Sequence, residues 1–204
     1  MPLKNKCVIN TIGITGGIGS GKSRVCNYLA KICRLPIVDL DLICRQLLVQ
    51  GAPGWLVLKE HLDGCFFGPS GELDRKAFRA ALFAENSLRC QVNALLHPLA
   101  RVEMVKQVSA VNGPVLIEIP LLFEAGWQKD VQKIVVVYAD PLVRIKRIVD
   151  RDHIPEEQAR QSVSIQHCLV EKAMNAHHVI DNSFSWPDTC LQLRHLADRF
   201  GLQG

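Results

Sequence analysis

The segment Thr11–Val25, TIGITGGIGSGKSRV, constrains this chain more than any other. An apolar, β-branched run leads into four glycines within six residues, and Lys22 and Ser23 follow. Gly16 to Ser23 matches G-x-x-x-x-G-K-[ST]. Each part has a physical task. Glycines let the backbone bend so that successive N–H groups approach phosphate oxygens. A helix opening after the loop aims its N-terminal dipole at the same anion. Gly17, Ile18, Gly19, Ser20 and Gly21 are the expected backbone cradle, Lys22 the charge that follows the β- and γ-phosphates, and Ser23 the hydroxyl for Mg²⁺. The expected ligand is a nucleoside triphosphate.

Such a loop needs a buried strand before it and a helix after it. Cys7–Thr15 reads as that strand and Ser20–Ile32 as the helix. Further short apolar runs lie at Leu35–Asp39, Gly113–Pro120, Lys133–Asp140 and His177–Asn182, with helical patterns between them. Near-continuous apolar strands separated by helices predict an α/β fold, a five-stranded parallel sheet flanked by helices in three layers. Gly51–Met104 breaks the alternation and reads as a helical insertion over the ligand end of the sheet. Asp140-Pro141 is a strong helix start. Arg144, Arg147 and Arg151 then fall on one helix face. Pro155 opens a second helix, Glu156–Ala173, so the pair reads as a helical lid.

The 204 residues suit one domain. A composition of 48% hydrophobic and 22% charged residues argues against disorder. The net charge of +4 is too small to imply nucleic acid. Eight cysteines show no C-x-x-C and no zinc spacing, so they are expected as buried reduced thiols. Neither a secretory signal nor a run of about 18 apolar residues is visible. The expectation is a cytoplasmic protein with no membrane partner.

The phosphate loop does not by itself choose among switch, motor and kinase. An N-K-x-D guanine-reading segment is absent from the sequence. Val38–Gln46 offers a base for an acceptor hydroxyl: of Asp39 and Asp41, Asp41 is the better placed. The arginine face offers cations for the transferred group. A small-molecule kinase fits these parts. Two rivals stand beside it: a nucleoside or nucleoside-monophosphate kinase, and a non-catalytic nucleotide-sensing protein.

Taken in order, GITGGIGSGKS, VDLDLICRQLL, GAPG, LLHPLAR, IPLLFE, RIKRIVDRD and HVIDN resemble the dephospho-CoA kinase family across about Ile9 to Phe200. The resemblance implies a P-loop kinase fold in a single domain, 1–204. Its nucleotide core would be about 7–50, 113–140 and 176–204, with a CoA-binding helical insertion at about 51–112 and a lid at about 141–175. It implies ATP-dependent phosphorylation of the ribose 3′-hydroxyl of dephospho-CoA, with Mg²⁺, in a monomer or weak homo-oligomer. It further implies Asp41 as catalytic base, with Lys22 and Arg147 catalytic, and Arg147 and Arg151 as lid arginines on ATP. Asn182 would lie near adenine, and His97, Arg101, Leu121 and Glu124 at dephospho-CoA. Three positions depart from the family pattern: Arg24 in place of Thr, Glu118 in place of Asp, and His167-Cys168 in the lid. The last leaves Gln166 and Lys172 as the lid's candidates for phosphate contact.

Overall fold

The computed structural model describes residues 11–62, 64–164 and 168–202. They divide into two compact units, one of them Leu40–Gln107 and the other the rest of the described chain.

The larger unit is built on five parallel strands, β1 (Thr11–Gly16), β2 (Ile37–Asp39), β3 (Val115–Glu118), β4 (Lys133–Tyr138) and β5 (His178–Asp181). They lie in the order β2-β3-β1-β4-β5. This is the expected sheet, trimmed at its ends. Leu35 and Pro36 stay outside β2 because the Leu35 N–H donates to Ala30 O and closes the preceding helix. Residues 7–10 of the first expected strand lie outside the described residues. β1 and β3 are buried throughout, and β4 is buried between an exposed Lys133 and a half-buried Tyr138. Strands covered on both faces read as unbroken apolar runs, which is why they were legible.

Helix α1 (Lys22–Cys33) follows the glycine loop. Four helices, α2 (Leu40–Leu47), α3 (Pro53–His61), α4 (Arg75–Ala84) and α5 (Asn86–Ser109), come between β2 and β3. Between β4 and β5 lie α6 (Pro141–Asp152), α7 (Glu156–Ser164) and α8 (Leu169–Met174); α9 (Trp186–Phe200) ends the described fold. One face of the sheet is packed by α1 and α9. Ile12, Ile14, Leu116, Val135, Val137 and Ile180 meet Val25, Leu29, Leu193 and Leu196 there. On the other face α8 packs against β4. A satellite cluster of Ile145, Ile148 and Ala159 joins α6 to α7 and holds Ile18 of the glycine loop against it.

Asp140 caps α6 as expected, its Oδ1 accepting from the Leu142 N–H at 2.8 Å, with Pro141 at the first turn. The single helix read over Glu156–Ala173 is instead two. Cys168 has ψ 121°, extended backbone that cannot continue a helix, and α8 starts after it. The smaller unit has its own core of Leu58, Phe78, Leu88, Val92 and Leu96. Trp55 Nε1 donates to Gly71 O at 3.0 Å, and Asp74 caps α4. This unit begins at Leu40, ahead of the Gly51 boundary read from the sequence, because α2 packs with α3.

Topology fixes the position of the glycine loop. The chain leaves β1 toward β2, passing β3, and leaves β3 in the opposite direction, passing β1 to reach β4. The carboxyl ends of these neighbouring strands are where open α/β sheets hold ligands. Leu29 anchors α1, which extends from that point, and it is fully buried. Leu29→Ala should therefore cost about 2–5 kcal/mol. Thermal unfolding should show a Tm lower by on the order of 10 °C; an unchanged Tm would contradict this core assignment.

Candidate active site

Gly19 and Gly21 have φ of 76° and 84°, left-handed backbone that side chains resist. A Cβ on Gly19 would come within 2.7 Å of Arg144 O, and one on Gly21 within 2.3 Å of Asn182 Nδ2. Gly21 is the N-cap of α1 and supplies no side-chain cap. The first helical hydrogen bond runs from Val25 N–H to Gly21 O at 3.1 Å. The N–H groups of Lys22, Ser23 and Arg24 lie ahead of it, where a helix leaves its donors for an anion.

The loop's carbonyls are held by the rest of the unit. Arg144, 4% exposed, donates from Nε to Ile18 O at 2.9 Å, and burial lowers its pKa. Asn182 Nδ2 donates to Ser20 O at 2.8 Å, while its Oδ1 accepts from Thr189 Oγ1 at 2.9 Å. Arg147 donates from Nη2 to Asn182 O at 2.9 Å. Its Nη1 makes only long contacts with Gly19 O and Ser20 O, at 3.5 and 3.4 Å. Those two are weak hydrogen bonds that a phosphate oxygen would improve on.

Sheet register decides the carboxylate. Glu118, the last residue of β3, pairs with Ile14 of β1 on one side and Asp39 of β2 on the other. One oxygen, Oε1, accepts from both Lys22 Nζ and Ser23 Oγ, each at 2.6 Å. The Lys22 and Glu118 side chains are 11% and 8% exposed. Glu118 is the residue that sequence reasoning left without a firm role. Its signal was present as a buried apolar strand ending in a carboxylate. Beneath it, burial first and the Glu118 charge second push the Cys26 thiol up to about 12, so Cys26 is an inert hydrophobe here.

The other expected residues are distributed unevenly. Of the arginine face, Arg144 and Arg147 grip the loop. Arg151 instead forms a bidentate surface pair with the adjacent Asp152, both contacts at 2.7 Å. Asn182 spends its amide on Ser20 and Thr189. Glu124 pairs with Lys172 at 2.5 Å, and its Oε2 is buried with no hydrogen-bond partner among the described residues. Lys172 is 2% exposed and so is a structural partner, not the phosphate contact that its sequence position suggested. Gln166 and His167 lie outside the described residues. Leu121 is 44% exposed. In the smaller unit, Asp41 is exposed in the first turn of α2. His97 and Arg101 are four apart on one side of α5, which runs through Pro98 without ending. Burial lowers the His97 pKa. Arg24 stacks on Trp186, with its guanidinium carbon 3.8 Å from the ring centroid.

These features match known proteins over nearly the whole chain. The family model for dephospho-CoA kinase matches residues 10–188. A dephospho-CoA kinase from Bacillus licheniformis is 35% identical over 191 residues, covering 92% of this chain and 94% of that protein. A crystal structure from Thermus thermophilus superposes with a TM-score of 0.77 at 30% identity, covering 93% of this chain and 97% of that one. A dephospho-CoA kinase from Campylobacter jejuni superposes at 0.66 over 93% and 96% of the two chains; at 22% identity this bears on the fold alone. A glycine loop with its lysine, serine and carboxylate, on a sheet of this order, has a known lineage: the chain belongs to the dephospho-CoA kinase family.

Proposed function

We propose that this protein transfers the γ-phosphoryl group of ATP to the ribose 3′-hydroxyl of dephospho-CoA, giving coenzyme A and ADP as the last step of coenzyme A biosynthesis. Family membership supports the substrates. The observation that carries the chemistry is the Glu118 oxygen that joins Lys22 to Ser23.

Phosphoryl transfer asks the protein mainly for positioning and charge stabilisation, because the transition state is loose. The N–H groups ahead of α1 bind the phosphate chain. Lys22 and Arg147 offset charge as it develops on the transferred group. Asp41 orients the acceptor hydroxyl and holds the proton that it loses. Arg101 and a neutral His97 bind dephospho-CoA, with Leu121 offering exposed apolar surface. Arg151, once released from Asp152, adds a second lid cation. Asn182 has both atoms of its side-chain amide engaged within the protein and holds the loop in place, whereas Glu124 holds α8 through Oε1 alone.

Ser23 Oγ and Glu118 Oε1 are hard oxygen donors of the kind Mg²⁺ takes together with substrate phosphates and water. Among the described residues no cluster of three metal-ligating side chains exists. Held by Ser23 and Glu118, such an ion would supply positive charge to offset that of the phosphate chain. A cytoplasmic setting belongs to the same proposal. The seven described cysteines are free thiols, and no described helix is long and apolar enough to cross a membrane.

ADP release in the presence of ATP and an acceptor panel tests the reading. Dephospho-CoA should be phosphorylated, and nucleosides and nucleoside monophosphates should not; the reverse pattern would make this a nucleotide kinase, and no acceptor at all a sensor. Asp41→Asn should lower kcat by about a hundredfold or more while ATP affinity changes little. Near-normal turnover would remove Asp41 from the base role. Glu118→Gln should move the Mg²⁺ titration of activity to higher concentration, and an unshifted midpoint would take Glu118 out of the ion's shell.

A further inference from the structure

Arg24 is the third residue of α1, two positions after Lys22. Its guanidinium carbon lies over the ring of Trp186, the first residue of α9, 3.8 Å from the centroid. Trp186 is itself held edge-on by Tyr28 of α1, with centroids 5.5 Å apart and planes at 82°. The stack occupies one face of the guanidinium. Its N–H donors radiate in the plane and are not used by the ring. Among the described residues the Arg24 guanidinium forms no ion pair and no hydrogen bond, and the residue is exposed. This sets it apart from the two loop arginines, whose donors go to Ile18 O and Asn182 O.

A second cation lies close by. Arg147 has its pKa lowered first by burial and then by the positive charge of Arg24. Two guanidinium groups thus share one end of the glycine loop with no carboxylate ion-paired to either among the described residues. Like charges held together in this way favour an anion between or beside them.

We propose that Arg24 binds the α-phosphate of the nucleoside triphosphate, and that Trp186 is the positioning residue that holds it there. The inference rests on the ATP reading of the glycine loop. Lys22 serves the β- and γ-phosphates. The phosphate chain therefore continues past the first turn of α1, and Arg24 brings to that point both a backbone N–H ahead of the first helical bond and a guanidinium fork. A free arginine loses much rotamer freedom on binding. Stacking on Trp186 removes that loss beforehand and keeps the donor edge free.

The test is nucleotide titration and steady-state kinetics on Arg24→Gln, Trp186→Leu, their combination, and Lys22→Ala. Arg24→Gln should raise the Kd of ADP and the KM of ATP by about tenfold, the loss of one charge-assisted contact. ADP is affected as ATP is because the α-phosphate is common to both. The KM of dephospho-CoA should change less than twofold, and Tm should not move. Trp186→Leu should weaken nucleotide binding in the same direction by less. Adding Arg24→Gln to it should cost less than the single change does in the native protein, because the platform is already gone. Unchanged ADP and ATP affinity in Arg24→Gln, or an equal loss for dephospho-CoA, would overturn the proposal. Lys22→Ala separates the two layers. If it loses nucleotide while Arg24→Gln does not, only the Arg24 assignment fails; if it also binds nucleotide normally, the reading of the loop fails with it.

Discussion

The glycine loop depends on having its carbonyls satisfied from behind. A chain that turns its N–H groups toward an anion must turn carbonyl oxygens the other way, and a buried carbonyl without a donor is costly. Here the donors are Arg144 on Ile18 O and Asn182 on Ser20 O, with Arg147 fastening Asn182 in turn. The gripping residues come from α6 and from the segment after β5. Order in the loop therefore depends on β4 being correctly paired with β1, and β5 with β4. This is why a motif of eight residues needs a five-stranded sheet around it.

Two nearly buried ion pairs show a second constraint. Lys22–Glu118 and Lys172–Glu124 each take charges out of water, and the attraction between them only partly offsets that cost. Such pairs are better explained by geometry than by stability. Glu118 holds the lysine and the serine at one oxygen, so both are fixed relative to the strand ends. Lys172 ties α8 to the turn after β3, which keeps the last helix before β5 against the sheet. Cys26, lying below the first pair, keeps its proton and serves as packing.

The smaller unit solves a separate problem. Its helices bury an independent aliphatic and aromatic core, with Trp55, Phe67 and the Gly71 turn linked by a hydrogen bond and an edge-on ring contact. A segment with its own core can differ in size and lining without disturbing the sheet.

By itself the sequence determined the strands, the glycine loop, the capped start of α6 and the family. Each is a local pattern: a buried parallel strand is an unbroken apolar run, a left-handed turn asks for glycine, and a helix start asks for Asp and Pro. What only the tertiary structure decided is who meets whom across long separations. Glu118 reaches Lys22 across 96 residues, and Arg144 reaches Ile18 across 126. Helical spacing put Arg144, Arg147 and Arg151 on one face, but burial sent the first two to the loop and left the third to Asp152. It likewise committed Lys172 to Glu124 and stacked Arg24 on Trp186. Periodicity fixes the direction in which a side chain leaves its element; sheet register and burial choose its partner, and neither is written in any short stretch of the chain.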